Sequence, residues 1–233
     1  LVHRWYAVTL TRQGRAAESL QEARRALELD PLSAQVMATY AEAFLYARQY
    51  DRAAEHYRKL LELEPRRPQS HQRLAMAYVQ QNKIADALRE YQIALELLGG
   101  RGRTSFILAD LGYAYARFGR RDDALKILRD LKARLAQGDH NTRAVHLAIL
   151  CAGLGETDEA LGWLAKAYEE RDNLLTILRV YPFFDSLRSD PTTVLFGSPK
   201  FWLTAILTVI SVAVLASAYP ALVQSRVRPA DAL

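Results

Sequence analysis

One short phrase, repeated at a fixed interval, limits what this 233-residue chain can fold into. It reads Ala-Leu-Glu-Leu-Asp-Pro at 26–31, Leu-Leu-Glu-Leu-Glu-Pro at 60–65 and Ala-Leu-Glu-Leu-Leu-Gly at 94–99, each copy closing 34 residues after the last. A period of this size marks stacked supersecondary units, none of which can bury its apolar face alone. The chain must therefore grow by adding units along one axis.

Laying the three segments over one another shows what each unit contains. Two registers hold only small residues: Ala7, Ala41 and Ala75, then Ser19, Ala53 and Ala87. Two others hold mostly larger ones: Leu10, Phe44 and Tyr78, then Ala23, Tyr57 and Tyr91. Small residues at two fixed points let two antiparallel helices approach closely, and the larger ones fill the space between layers. Apolar residues such as Ala53, Tyr57, Leu60 and Leu61 fall at helical spacing. Pro31 and Pro65 mark helix stops, while Ser33 before Ala34 and Asp158 before Glu159 mark starts.

This in-phase pattern resembles the tetratricopeptide repeat (TPR). The resemblance implies an all-α, right-handed superhelical solenoid of about five helix hairpins, over 1–31, 32–65, 66–99, 104–138 and 141–172. The fourth unit carries Leu111-Gly112-Tyr113-Ala114-Tyr115, Gly119 and Asp123-Ala124-Leu125, and its phase lies 37 residues after the third. The extra residues fit a Gly-Gly-Arg-Gly-Arg connector at 99–103. The fifth carries Leu147, Ala148, Gly155 and Ala160, with Cys151 at an inward register. His3 and His71 share one register, which points to packing rather than chemistry.

After the repeats, 173–191 reads as a helix capping the end of the solenoid, followed by an aromatic plug at Tyr181-Pro182-Phe183-Phe184. The wording from Gly155 to Pro191 resembles the last repeat of many bacterial signalling proteins, where such repeats are fused to kinase, cyclase or DNA-binding domains. A linker at 192–199 follows. Between Lys200 and Arg226 stand 25 residues without a charge, eleven of them Phe, Leu, Ile or Val. As a helix at about 1.5 Å per residue they would reach across a hydrocarbon core of about 30 Å. Trp202 and Tyr219 sit near the ends, where interfacial aromatics are expected. The expectation is one transmembrane helix within 200–233, meeting the bilayer over 201–223. Its tail, Tyr219-Pro220-Ala221 and then Ser225 to Leu233, resembles the last helix of FtsX-like ABC transporter permeases.

The net charge of +5 is spread along the chain among acidic residues, which reads as solvated helix faces and not as a nucleic-acid footprint. One cysteine excludes an internal disulfide framework. The five histidines show no metal-ligand spacing, and no phosphate loop or nucleophile elbow is present. The reading is a non-enzyme without cofactors or metals.

What remains is surface. The TPR resemblance implies a concave groove lined by the first helix of each hairpin. Carried over register by register, it assigns peptide binding to Arg12, Glu42, Tyr46, Gln72, Met76, Tyr113 and Arg117. Val8 and Glu42 stand where the family's carboxylate clamp has Asn or Lys, so that clamp is not expected. The function expected is a scaffold that binds a protein or peptide ligand and is attached to the bacterial inner membrane, with a cytoplasmic solenoid. The alternatives are an accessory part of an FtsX-like permease, or the TPR part of a bacterial transcriptional regulator or protein kinase. The chain opens in mid-repeat at Leu1, so further repeats or another domain are expected before it.

Overall fold

A computed structural model describes residues 2–99 and 104–189. The chain divides into two units, Leu1–Ser186 and Leu187–Leu233, and only 187–189 of the second are described. The connector at 100–103, the linker at 192–199 and the expected transmembrane helix at 200–233 lie outside the described residues. Among the described residues there is no strand, and no helix is long and apolar enough to cross a membrane.

Among the described residues, ten helices form five antiparallel hairpins. The first helices are α1 (Val2–Arg12), α3 (Ala34–Tyr46), α5 (Pro68–Gln80), α7 (Thr104–Arg117) and α9 (Ala144–Leu154). Their partners are α2 (Ala16–Leu29), α4 (Tyr50–Leu63), α6 (Ile84–Leu98), α8 (Arg121–Ala136) and α10 (Thr157–Glu169). Consecutive odd-numbered helices touch one another along the stack, and each even-numbered helix also packs on the odd-numbered helix that follows. The odd-numbered helices thus make one continuous layer.

The expected close contacts are present. Ala7, Ala41, Ala75, Ser19, Ala53 and Ala87 are all sealed from solvent, with Tyr57 and Tyr91 buried beside them. In the fourth hairpin the close-approach register falls on Gly112. A Cβ there would sit 2.4 Å from the Leu150 side chain, so α7 and α9 cross at a distance only glycine allows. Cys151 is buried, and burial pushes its thiol up to about 12, which makes it a packing residue.

Each hairpin turns in the same way. Gly14, Arg48, Asn82, Gly119 and Gly155 all have φ between 58° and 76°, and the first three are 34 residues apart. One residue further on, the N–H reaches back over the turn, as from Gln49 to the Phe44 carbonyl at 3.0 Å and from Arg120 to the Tyr115 carbonyl at 2.8 Å. This is the left-handed stop that satisfies orphaned carbonyls at a helix end. Helix starts rely less on side chains than expected. Ser33 precedes α3 but makes no capping bond, and α10 begins at Thr157, one residue before Asp158.

The expected capping helix is corrected. From 173 onward the chain forms two 3₁₀ turns, Asn173–Ile177 and Pro182–Phe184, and the short α11 (Asp185–Ser189). Leu174, Leu175 and Ile177 of the first turn are only partly buried. Instead of lying across the end of the stack, the segment from Arg179 to Asp185 runs back along the odd-numbered helices.

Candidate peptide-binding groove

The returning segment divides the inner face in two. It starts at Asp172, whose carboxylate accepts from the Leu174 N–H at 2.9 Å and from Arg143 Nη1 at 2.8 Å. Arg179 then passes Gly14, where an added Cβ would lie 3.5 Å from its Nε. Arg48, at the left-handed turn after α3, grips the next stretch at two points. Its Nη1 donates to the Val180 carbonyl at 2.5 Å and its Nη2 to Asp185 Oδ1 at 2.6 Å.

Between those points the aromatic side chains enter the layer of odd-numbered helices. The Phe183 ring stacks on Tyr113 with centroids 3.8 Å apart and planes within 6°. The Tyr181 hydroxyl donates to Asp110 Oδ1 at 2.6 Å, and Gln72 Nε2 donates to the other Asp110 oxygen at 2.6 Å. Asp110 is wholly buried, so these two donors help offset the cost of holding a carboxylate away from water. Burial, and then the Asp110 charge, pushes the Tyr181 phenol well above its usual value, so it remains a donor.

The other part of the inner face is open. A cavity of about 500 Å³ is lined by Val8, Thr11 and Arg12 of α1, Glu42 and Tyr46 of α3, Arg73 of α5, Arg143, and the 3₁₀ turn at Asn173–Ile177. Arg73 Nε lies 3.3 Å from Glu42 Oε1, and its guanidinium sits over the rings of Tyr46, Phe106 and Tyr181 at 5.8–6.0 Å. Burial works against its charge, but Tyr46, Glu42 and Tyr181 outweigh it and hold Arg73 firmly protonated. Burial likewise raises the Tyr46 phenol. The cavity therefore offers cationic guanidinium groups, one carboxylate and an aromatic wall.

The residues assigned from sequence separate along the same line. Arg12, Glu42 and Tyr46 line the cavity. Met76 and Tyr113 are buried against the returning segment, with Met76 Sδ 3.7 Å from the Tyr181 hydroxyl, while Gln72 is buried on Asp110 and borders a second cavity of about 430 Å³ with Glu42 and Arg73. Arg117 is exposed at the end of α7 and lines no part of this cavity. Arg73 and Asp110 share one register, directly after the groove register of Gln72, and sequence reading passed over it. Charged residues on otherwise apolar helices were the signal that could have found them. Arg48 was also missed, although a long cation at a turn register otherwise held by Gly and Asn could have marked it. Among the described residues no group of three or more His, Cys, Asp or Glu could hold a metal ion.

Residues 44–97 match the family model described as tetratricopeptide repeat. In structure the chain is similar to a thermophilic TPR protein of Thermus thermophilus, with 26% identity and a TM-score of 0.58 over 79% of this chain and 97% of that one. Two further likenesses are weaker. MamA is 17% identical with a TM-score of 0.48, over 72% of this chain and 96% of its own. YrrB, described as a TPR protein with an unusual peptide-binding site, is 21% identical with a TM-score of 0.44, over 76% of this chain and 89% of its own. No curated protein matches the sequence. With hairpins in one recurring register, a tetratricopeptide-repeat match at 44–97 and a TPR protein similar in structure over 79% of the chain, the described residues form an all-helical, TPR-like solenoid.

Proposed function

We propose that this chain is a non-enzymatic scaffold that holds a protein or peptide ligand in the open part of its concave face. The supporting observation is the cavity formed by α1, α3 and α5 beside the part of the groove already filled by Val180–Phe184. A layer of odd-numbered helices that accommodates a non-repeat segment of its own chain has the shape and chemistry for a second peptide segment. Arg12 and Arg143 favour acidic groups on that ligand, and Tyr46 favours an apolar or aromatic side chain. The binding residues on this reading are Arg12, Glu42 and Tyr46, joined by Arg73 and Arg143. Gln72, Met76 and Tyr113 support the groove from beneath.

The test is photo-crosslinking in cells. A photoreactive residue at Val8 is expected to give partner adducts, and one at Tyr113 none. Adducts at Tyr113 alone would reverse the assignment, and none at either position would remove it.

Membrane attachment is part of the same proposal. It rests on the uncharged run between Lys200 and Arg226 and on the FtsX-like wording of the tail. A reporter fused at Leu233, active on only one side of the bilayer, tests both the span and its orientation.

A further inference from the structure

The buried histidine of α5 is bonded at both ring nitrogens. His71 Nδ1 lies 2.6 Å from Glu90 Oε2 of α6, and Nε2 lies 2.9 Å from the Pro65 carbonyl in the loop between α4 and α5. His71 and Glu90 are 7% and 9% exposed, so water competes little for either contact. A backbone carbonyl only accepts, and so does a carboxylate, so both ring nitrogens must carry hydrogen. Imidazole is the stronger base by about two pH units, which leaves the shared proton on the ring. The ring is then an imidazolium.

The same two registers hold His3 and Glu22 in the first hairpin, again 2.6 Å apart. The second hairpin has Met37 and His56 there, and His56 stacks on Phe44 with centroids 5.2 Å apart. A hairpin therefore packs without the pair, which adds something that the repeat does not require.

Glu90 supplies the charge that acts on the ring. Beyond it, Arg89 Nε lies 3.9 Å from Glu90 Oε1, and Arg89 is itself paired with Asp86 at 2.6 Å. On the loop side Glu64 and Arg67 pair with each other at 2.8 Å. Among the described residues no charge of α3, α4 or α7 adds to these. Burial works against the charged ring, and so does its place in the first turn of α5, where the helix dipole opposes a cation. The bonds to Glu90 and Pro65 outweigh burial and raise His71 above its ordinary value.

We infer that this imidazolium is a proton-operated latch, which fastens the α4–α5 loop to α6 and lets go when alkali removes its proton. The neutral ring keeps one hydrogen and can serve only one of its two acceptors. If it serves Pro65, a bare Nδ1 faces the Glu90 carboxylate; if it serves Glu90, the Pro65 carbonyl is left without its donor. The loop so held carries Arg67, whose Nη2 donates to Gln35 Oε1 at 2.7 Å and which lines the second cavity with Glu42 and Arg73. Release therefore loosens that wall. Because the raised value belongs to the folded state, the latch stabilises fully below about pH 6.5 and is lost as pH rises through that value. The latch concerns the joint and not a ligand, so it stands or falls apart from the peptide proposal.

The full chain, held in one mild detergent throughout, is followed by NMR and amide exchange between pH 6 and 9. At pH 7 the His71 ring is expected to show both nitrogens protonated. The Ser70 and His71 amides, both bonded to the Arg67 carbonyl, report on the joint. After correction for base catalysis their protection should fall at least about tenfold over this range, the size expected of a charge-assisted hydrogen bond. Amides of α10, in the fifth hairpin, should keep theirs.

Two variants isolate the proton. Glu90→Gln keeps the size and removes the charge, so its His71 ring should be neutral at pH 7. In Glu90→Gln and in His71→Gln, protection at positions 70 and 71 should not change with pH. A neutral ring at pH 7 in the wild type, wild-type protection that does not fall, or a fall that persists in either variant would each overturn the inference.

Discussion

The two parts of the inner face are built from the same repeat and do different work. Around α5 and α7 the groove is dry, filled by Tyr181, Phe183 and Phe184 and closed by paired polar groups on Asp110. Around α1 and α3 it is open, with Arg12 and Glu42 at the edge of a cavity. The helices do not differ in kind between the two, and all five hairpins keep the same turn. The difference is a segment of about seven residues that covers one part and not the other. A repeat register thus specifies a lining, while the use of that lining is decided by what returns to it.

Four substitutions at three positions test this contrast, in order of expected effect. Phe183→Ala should cost the most, about 3–5 kcal/mol in urea unfolding, because it removes a sealed aromatic and leaves a void against Tyr113. A loss below about 1 kcal/mol would mean that the segment is a loose cover and that the filled part is a ligand site after all.

Next come two changes at Arg48. Arg48→Ala loses both bonds to the returning segment and places alanine at φ 62°. Arg48→Gly loses the same bonds but relieves the left-handed backbone, so it should be the more stable of the two by about 1 kcal/mol. In both, amide exchange of 180–185 should quicken while that of α1 and α2 stays as it was. Equal stability of the two variants would sink the turn argument, and unchanged exchange of the returning segment would sink the clamp.

Arg12→Ala should have the smallest effect. Its side chain is exposed, and stability should stay within about 0.5 kcal/mol of wild type. Partner crosslinking from position 8 should nevertheless drop. If stability falls instead, the open part has a structural role and the contrast fails.

Much of the fold was legible because the sequence states it several times. The alanine and tyrosine registers recur in phase, so one ambiguous helix is resolved by its copies, and every close-packing residue read this way is buried. The groove was only half legible. Tyr46 and Tyr113 occupy groove registers one helical turn apart on the second and fourth hairpins, yet one borders a cavity and the other is stacked beneath Phe183. What separates them is an interaction spanning 132 to 137 residues, from Arg48 to Val180 and Asp185. Helical periodicity reports neighbours within a few residues and carries no information about such a return. The capping helix was misread for the same reason. Tyr-Pro-Phe-Phe is apolar enough to bury, but its pattern does not say against which surface.

The spacing of the turns has a practical consequence. From the close-approach residue to the left-handed residue to the next small residue, the intervals are identical in all five hairpins: Ala7, Gly14, Ser19; Ala41, Arg48, Ala53; Ala75, Asn82, Ala87; Gly112, Gly119, Ala124; Ala148, Gly155, Ala160. Every slip in period, to 37 and then 36 residues, is taken up between one hairpin and the next. The molecule behaves like a jointed ruler, with rigid links and adjustable hinges. An inserted tag, spectroscopic label or extra loop belongs after Gly99 or Gly138, where length already varies, and a single residue added beside Arg48 or Asn82 would throw two packed helices out of step.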